Sequence, residues 1–527
     1  MHRRTLPVRI AVVAAVIVAS AGCSGNLPTP SASSPVVIGG TVRVATASEI
    51  ASFDPYSAFG TGTARYAYDS LINVAADGAV VSGLATNWQA SATSATFTLR
   101  PGVTCSDGTV LKASDVANAL TYASDPGRQL AGAQATLPSV PFTATADDPA
   151  GTVSVTTAAP YSFLTRTLGL LPIVCPAGLR DPKSLARASS GTGPYVLSGY
   201  TPGGPYVFTL REGYAWGPGG ATNAAPGQPA RIVVSVVPQA STVANLLLTG
   251  GVNIATVNGP DRSRLTGRGL GAVEVPTVVG LTFFNERRGR PLGDPALRRA
   301  LVAALDRAGL ANVAAGGTGK AATHFTATDA VCHTDLAAAN LPAGDAEQAL
   351  RSAGWTRTTD GRLAKDGRVL HLRLITSPDV GATLPSVAEL MARSWTALGA
   401  QVQLVSENLN ALVNAMYQEA NFDVVVGSTP GFLLPAAFVP FFSGPSPAEG
   451  LNFAGIDNPE YSRLVARALQ EPDTAGCATW NEAATALFRS ADTLPIADGA
   501  STVYGYRTTF AVGFGGAVVP TSIRLHG

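Results

Sequence analysis

The stretch "LHLRLITSPDVGATLPSVAELMARSWTALGAQVQLVSENLNALVNAMYQEANFDVVVG", residues 370–427, decides how this chain folds. Its opening "LHLRLIT" alternates apolar and polar side chains, the period of a half-buried strand. "PSVAELMARSWTAL" at 385–398 then repeats its apolar positions every three or four residues and is closed by Gly399, which predicts a helix ended by a glycine cap. "QVQLV" predicts a second strand, "LNALVNAMYQ" a second helix and "FDVVVG" a third strand. A β-α-β-α-β series of this kind builds a mainly parallel sheet covered by helices, so the fold class is α/β. Ligands in such sheets bind beyond the carboxyl ends of the strands.

Working outward, "GDPALRRALVAALDRAGL" at 293–310 has Asp294 as N-cap and Pro295 in the first helical position. Leu297, Ala300, Leu301, Ala304, Leu305 and Ala308 share one face, which predicts a single amphipathic helix over the whole stretch. Nearer the N-terminus, "GTVRVATA" at 40–47 and "ATFTLR" at 95–100 alternate as strands. In "CSDGTVLKASDVANAL" at 105–120, Asp107-Gly108 supplies a turn, and Ser114 is the expected N-cap of a helix that starts at Asp115. No internal repeat marks a solenoid or a propeller.

With 527 residues the chain exceeds the size at which one hydrophobic core stops growing, so two or three lobes are expected. Hydrophobic residues make up 46% and charged ones 13%, and no apolar run beyond the N-terminus is long enough to span a bilayer. Heavy use of Gly and Pro, with few lysines, suggests a high-GC bacterial source of the actinobacterial kind. The net charge of +1 includes Arg3, Arg4 and Arg9; without those three the remainder stands at about −2, which offers no electrostatic footprint for nucleic acid.

These arginines belong to "MHRRTLPVR", a basic segment followed by the apolar "IAVVAAVIVA" and the small-residue "SAGC" ending at Cys23. That order is an export signal, too short for a membrane-spanning helix. "SAGC" resembles the lipobox of bacterial lipoproteins, which implies cleavage after residue 22 and a lipid on Cys23. The Ser- and Pro-rich segment that follows, to residue 36, has too little bulk to fold and is expected to be a tether. Four cysteines remain, Cys105, Cys175, Cys332 and Cys477, an even number in an oxidising compartment. Disulfides are expected, and sequence alone allows three pairings. In a rival reading His324, Cys332 and His333 hold a metal, but no close Cys or His pair completes a tetrahedral set.

"GLATNWQASATSATFTLRPGVTCSDGTVLKASDVANAL" at 83–120 resembles the signature of the bacterial extracellular solute-binding proteins, family 5, the oligopeptide- and dipeptide-binding components of ABC importers. "GTGPYVLSGYTPG" at 191–203, "LTFFNERRGRPLGDPALRRALVAALDRAGL" at 281–310, "DAEQALRSAGW" at 345–355 and "LNFAGIDNPEYSRLVARAL" at 451–469 follow in the family's order. The resemblance implies a periplasmic-binding-protein type II-like fold, with two lobes, an extra subdomain and a cleft that closes by a hinge. On that map residues 37–50, 193–275 and 495–527 form lobe I, 51–192 its subdomain, and 276–494 lobe II. Those lobes would pair Cys105 with Cys175 and Cys332 with Cys477. The implied partners are ABC permease subunits, a peptide or peptide-like solute and the membrane through the lipid anchor; the implied state is a monomer without cofactor.

One departure bears on the ligand. Many members of the family follow the strand matching "FDVVVG" with an aspartate that pairs with the peptide's ammonium group. Here no acid stands between Asp423 and Glu449. A buried amine without an anion is costly, so a neutral, apolar or modified ligand is expected, with Ser428, Thr429 and Phe432 of the loop facing it. Glu49 and Phe53, in "TASEIASFDP", and Asn285, at the end of "LTFFN", are the other expected cleft residues, Glu49 as a replacement anion. Trp216 is expected to pack rather than bind. Catalysis is not expected: "GGTGK" at 316–320 lacks the glycine at 314 and the hydroxyl at 321 of a phosphate loop, and no nucleophile elbow is present. The alternative to import is a cell-envelope adaptor or sensor lipoprotein of the same fold.

Overall fold

The 370–427 series forms as its pattern predicts. In the computed structural model, which describes residues 35–57, 62–428 and 433–527, strand His371–Thr376 lies parallel to both Gln401–Ser406 and Val424–Gly427. The intervening helix Leu384–Ala397 buries Leu384, Val387, Ala388, Met391 and Trp395. The Trp395 indole donates to the Leu301 carbonyl at 2.9 Å, so the one polar atom of that large side chain is satisfied in the core. Gly399 follows the helix at φ +97°, and a Cβ there would lie 2.5 Å from the Gly361 carbonyl oxygen; both facts require glycine.

These strands form one end of a mixed sheet. Its order runs Gln401–Ser406, His371–Thr376, Val424–Gly427, Gly271–Phe284, Thr493–Gly505, Ile254–Val257, Thr41–Thr46, Arg231–Val236, Tyr206–Leu210 and Tyr195–Gly199, with Lys320–Ala321 pairing onto Thr493–Gly505. Gly271–Phe284 and Thr493–Gly505 are antiparallel over almost their whole length, from Gly271 opposite Gly505 to Phe283 opposite Thr493. Leu281–Phe284 pairs with Val424–Gly427 at one end, and Thr502–Gly505 pairs with Ile254–Val257 at the other. Between them, Pro276–Val279 and Asp498–Ser501 are only half-buried, and the two strands run as a ribbon that joins the halves of the sheet.

A second, antiparallel sheet takes Ala85–Ala90, Ser94–Leu99, Thr152–Thr157 and Phe142–Asp147 in that order. Helix Ala113–Ser124 packs over its last two strands through Val116, Ala119, Leu120 and Ala123. The helix starts two residues before the expected Asp115. Asp115 reaches back to accept from the Lys112 N–H at 2.9 Å, while the Ser114 N–H and hydroxyl bond Asp148 at 2.7 and 2.8 Å, so Ser114 is not the cap.

The 293–310 stretch also corrects its expectation. Asp294 caps the first helix, accepting from the Ala296 N–H at 2.9 Å, but that helix covers only Pro295–Ala303. A second helix, Arg307–Ala314, starts at Asp306, whose carboxylate accepts from the Gly309 N–H at 3.0 Å. The side chain of Asp306 competes successfully for a backbone donor and restarts the chain in a new direction.

Cys105 is bonded to Cys175, with Cα atoms 6.1 Å apart, and Cys332 to Cys477, with Cα atoms 4.8 Å apart. They close loops of 70 and 145 residues, for which chain entropy gives about 4 to 5 kcal/mol each as an upper figure. Among the described residues no helix is long and apolar enough to cross a membrane.

Candidate functional site

A cavity of about 420 Å³ opens between two remote parts of the chain, residues 131–170 and 433–451. Leu137 and Leu170 wall it on one side; Leu433, Leu434, Pro440, Phe441 and Leu451 wall it on the other. The first wall is held by the short helices Ala131–Gln134 and Leu164–Gly169, the second of which is buried along its entire length. Behind the second wall Phe438 and Phe442 stack at 6.0 Å, and Phe325 packs against both, so the wall rests on a rigid aromatic cluster.

Polar groups are few. Gln134, Thr136, Ser139 and Thr167 are its neutral polar lining residues apart from Tyr161, and the ionisable ones are Tyr161 and Arg166. Burial pushes the Tyr161 phenol above its ordinary value, so it stays neutral. The Arg166 guanidinium is already engaged: Nε donates to Asp473 Oδ1 at 2.8 Å and Nη1 to the Gly78 carbonyl at 3.2 Å. A concave, mainly apolar space with a few polar groups in its lining is the form of a small-solute site, and this one favours a solute with an uncharged, apolar body.

The same region ties its two sides together. The Ser162 hydroxyl donates to the Ala468 carbonyl at 2.5 Å, the Asp473 N–H donates to the Ser162 carbonyl at 2.6 Å, and the Phe163 and Trp480 rings lie 6.0 Å apart. With the Arg166–Asp473 ion pair these contacts clamp the Leu164–Gly169 helix to the segment around Asp473.

A smaller cavity, of about 60 Å³, lies on the other side of Leu170, which borders both. Its lining includes Arg65, Tyr68, Asp69, Asn73 and Tyr214. Asp69 accepts from the Tyr214 hydroxyl at 2.8 Å, the Thr192 hydroxyl at 2.9 Å and the Trp216 indole at 3.0 Å. Burial raises its pKa to about 6 against the opposing pull of these bonds and of Arg211. Trp216 is accordingly a buried packing residue whose indole holds Asp69.

The structure scatters the residues expected in the cleft. Glu49 is exposed and accepts from the Gly203 N–H at 2.9 Å; it borders neither cavity. Phe53 is buried edge-on among Tyr200, Tyr206 and Phe208. Asn285 is fully buried, its amide donating to the Phe422 carbonyl at 2.7 Å and its Oδ1 accepting from the Arg287 N–H at 3.3 Å. Asp423 turns inward to the Arg373 N–H at 2.8 Å and faces Arg290 at 3.5 Å. Ser428 is exposed, and Leu433 and Leu434, a few residues on, line the large cavity. Thr429, Phe432 and Cys23 lie outside the described residues.

The rival metal reading loses its thiolate, because Cys332 is disulfide-bonded. His324 is buried, accepts from the Thr326 N–H at 3.1 Å through Nδ1, and has its pKa pushed down to about 3, chiefly by burial. No group of three or more His, Cys, Asp or Glu side chains able to hold a metal occurs among the described residues.

Sequence reasoning missed Leu137, Leu170, Leu433 and Leu434, which read as ordinary core, and Arg65. The only signal at Arg65 is a lone cation in the otherwise small and aromatic "TARYAY".

Comparison with known proteins agrees with the geometry. The model of the bacterial extracellular solute-binding proteins, family 5, matches residues 79–449. Protein XP55 of Streptomyces lividans is 30% identical over 398 residues, 69% of this chain and 66% of that protein, just under two thirds of its length. A substrate-binding protein from Microbacterium hydrocarbonoxydans, solved in complex with 4-hydroxybenzoate hydrazide, superposes with a TM-score of 0.72 at 29% identity, over 92% of this chain and all of that one. The oligopeptide-binding protein AppA of Bacillus subtilis, solved with a nonapeptide, shares the fold at a TM-score of 0.70 and 18% identity, over 93% of this chain and 100% of its own. With a family model matching residues 79–449 and a fold shared over 92% of the chain, the protein belongs to the bacterial extracellular solute-binding proteins, family 5.

Proposed function

We propose that this chain is a membrane-anchored substrate-binding lipoprotein that captures an apolar peptide or peptide-like solute and delivers it to the permease of an ABC importer. The observation that carries the reading is the cavity of about 420 Å³, walled by leucines and aromatics contributed by two remote parts of the chain. A site divided between two bodies gives a solute more contacts when they close than when they part. That difference in affinity is what allows binding to drive closure. The ribbon formed by Gly271–Phe284 and Thr493–Gly505 supplies the hinge, with 37–50, 193–275 and 495–527 as one lobe, 51–192 as its subdomain and 276–494 as the other lobe.

The wall chemistry supports a solute without a buried ammonium group. No acid occurs between Asp423 and Glu449, the Asp423 carboxylate is bound to the Arg373 backbone, and Glu49 lies off the cavities. The Microbacterium protein was solved with 4-hydroxybenzoate hydrazide, a small aromatic compound, which supports a compact solute here. The SAGC motif supports lipidation of Cys23, with residues 23–36 as the tether.

The test is uptake. A strain deleted for the gene is supplied with radiolabelled apolar di- to hexapeptides and with aromatic hydrazides. At least one should accumulate in the parent and in the complemented strain but not in the deletion, and Cys23→Ser should release the protein from the membrane. Equal uptake of every compound by parent and deletion, with a membrane-bound protein, would favour the envelope adaptor.

A further inference from the structure

Arg65 is an unpartnered cation placed one side chain away from the proposed solute cavity. It stands in the short helix Ala64–Ala67 and borders the small cavity, whose shared wall with the large one is Leu170. The loop at Gly513 passes so close that a Cβ there would lie 3.2 Å from Arg65 Nη1. Among the described residues Arg65 makes no hydrogen bond and no ion pair. Asp69, the acid of this cavity, has its oxygens occupied by Tyr214, Thr192 and Trp216 and has Arg211 as its countercharge. Among the described residues the side-chain amide of Asn73, in the same lining, also has no hydrogen-bond partner.

Arg65 is half-buried, its burial lowers its pKa, and a guanidinium so placed without an anion gains from one that a ligand supplies. Several structural arginines are satisfied, Arg166 by Asp473 and Gly78, Arg298 by Asp492 and Glu286, Arg211 by three carbonyls, while Arg100 and Arg287 each bury an Nε without a partner. What sets Arg65 apart is its place, in the lining of a cavity that shares Leu170 with the proposed solute cavity. A cavity of about 60 Å³ admits a carboxylate group but not a whole solute, and a carboxylate matches both the fork of an arginine and the donors of an amide.

We propose that Arg65, assisted by Asn73, is the anchor for the carboxylate of the solute, whose apolar body fills the large cavity past Leu170. The ligand class is therefore a hydrophobic carboxylic acid, either a peptide with a free C-terminus or an aryl or alkyl acid. This inference rests on the solute-capture reading above and gives the solute an orientation: with no acid available for an ammonium group, the fixed point is the opposite end.

The test measures binding by calorimetry on the full chain in mild detergent, using Leu-Leu-Phe and 4-phenylbutanoate, each as free acid and as amide. At least one acid should bind about tenfold or more tightly than its amide, the strength of a charge-assisted bond in a desolvated site. In Arg65→Met that gap should close while amide affinity is unchanged; Arg65→Lys should restore part of it. Without ligand, Arg65→Met should melt no lower than wild type, because no partner is lost, whereas a structural arginine would lower the melting temperature when replaced. Equal binding of acid and amide by wild type, a gap that survives Arg65→Met, or a lower melting temperature of the empty variant would each overturn the anchor and leave solute capture standing. Failure of all four probes to bind folded wild type would overturn both.

Discussion

The most strongly perturbed acid lies away from the cavities. Glu286, Asp492 and Arg298 are nearly inaccessible, with Arg298 Nη2 2.6 Å from Asp492 and 3.0 Å from Glu286. Burial, then the charge of Asp492, raises the Glu286 pKa to about 9, so the pair holds one proton on Glu286 while Asp492 bonds Arg298 and the Asn458 amide. A folded pKa above the unfolded value means that this contribution to stability is complete below about pH 4.5 and is lost as pH rises towards 9. The loss is at most about 1.4 kcal/mol per pH unit for one proton. Glu286→Gln should therefore unfold in urea with a flatter pH dependence between pH 6 and 9 than wild type; parallel curves would show that Glu286 is ionised. Nothing of this was legible in "FFNERR", because the carboxylates meet only through tertiary contact. The unpaired state of Arg65 was hidden for the same reason: a partner's absence is a property of the packed chain.

At the scale of elements, local chemistry was readable where it was unopposed. The β-α-β-α-β order, Gly399 as helix terminator and Asp294 as N-cap all follow from periodicity and capping preference. The break at residues 304–306 was not readable, since Leu305 and Ala308 continue the apolar face across it and only the side-chain bond of Asp306 reveals the restart. Ser114 failed as a cap because Asp148, 34 residues away, captured its donors. The clamp between helix Leu164–Gly169 and the segment at Asp473 is likewise long-range. Arg166 is 6% exposed and Asp473 35%, so the pair is half-screened on one side. Asp473→Asn should lower urea stability by roughly 1–3 kcal/mol, less than the loss for a fully buried pair, because it leaves Arg166 without its anion. A loss near zero would show that water already screens the pair.

On the scale of the whole molecule, the family was legible because its motifs are turns, caps and strand ends spread along the chain in a fixed order, and the two disulfides followed from the lobes those motifs imply. The solute cavity was not, because its walls come from residues 131–170 and 433–451, whose leucines look like any others until the sheet brings them together. The central claim is that this cavity holds a solute. Its most direct test is native mass spectrometry of the full chain extracted from its host, compared with Ala437→Trp, whose indole would fill the space beside Leu434 and Pro440. The account predicts a reproducible non-covalent small-molecule adduct on wild type and none on the folded variant. The same adduct at the same occupancy on both proteins would place the solute elsewhere and contradict it.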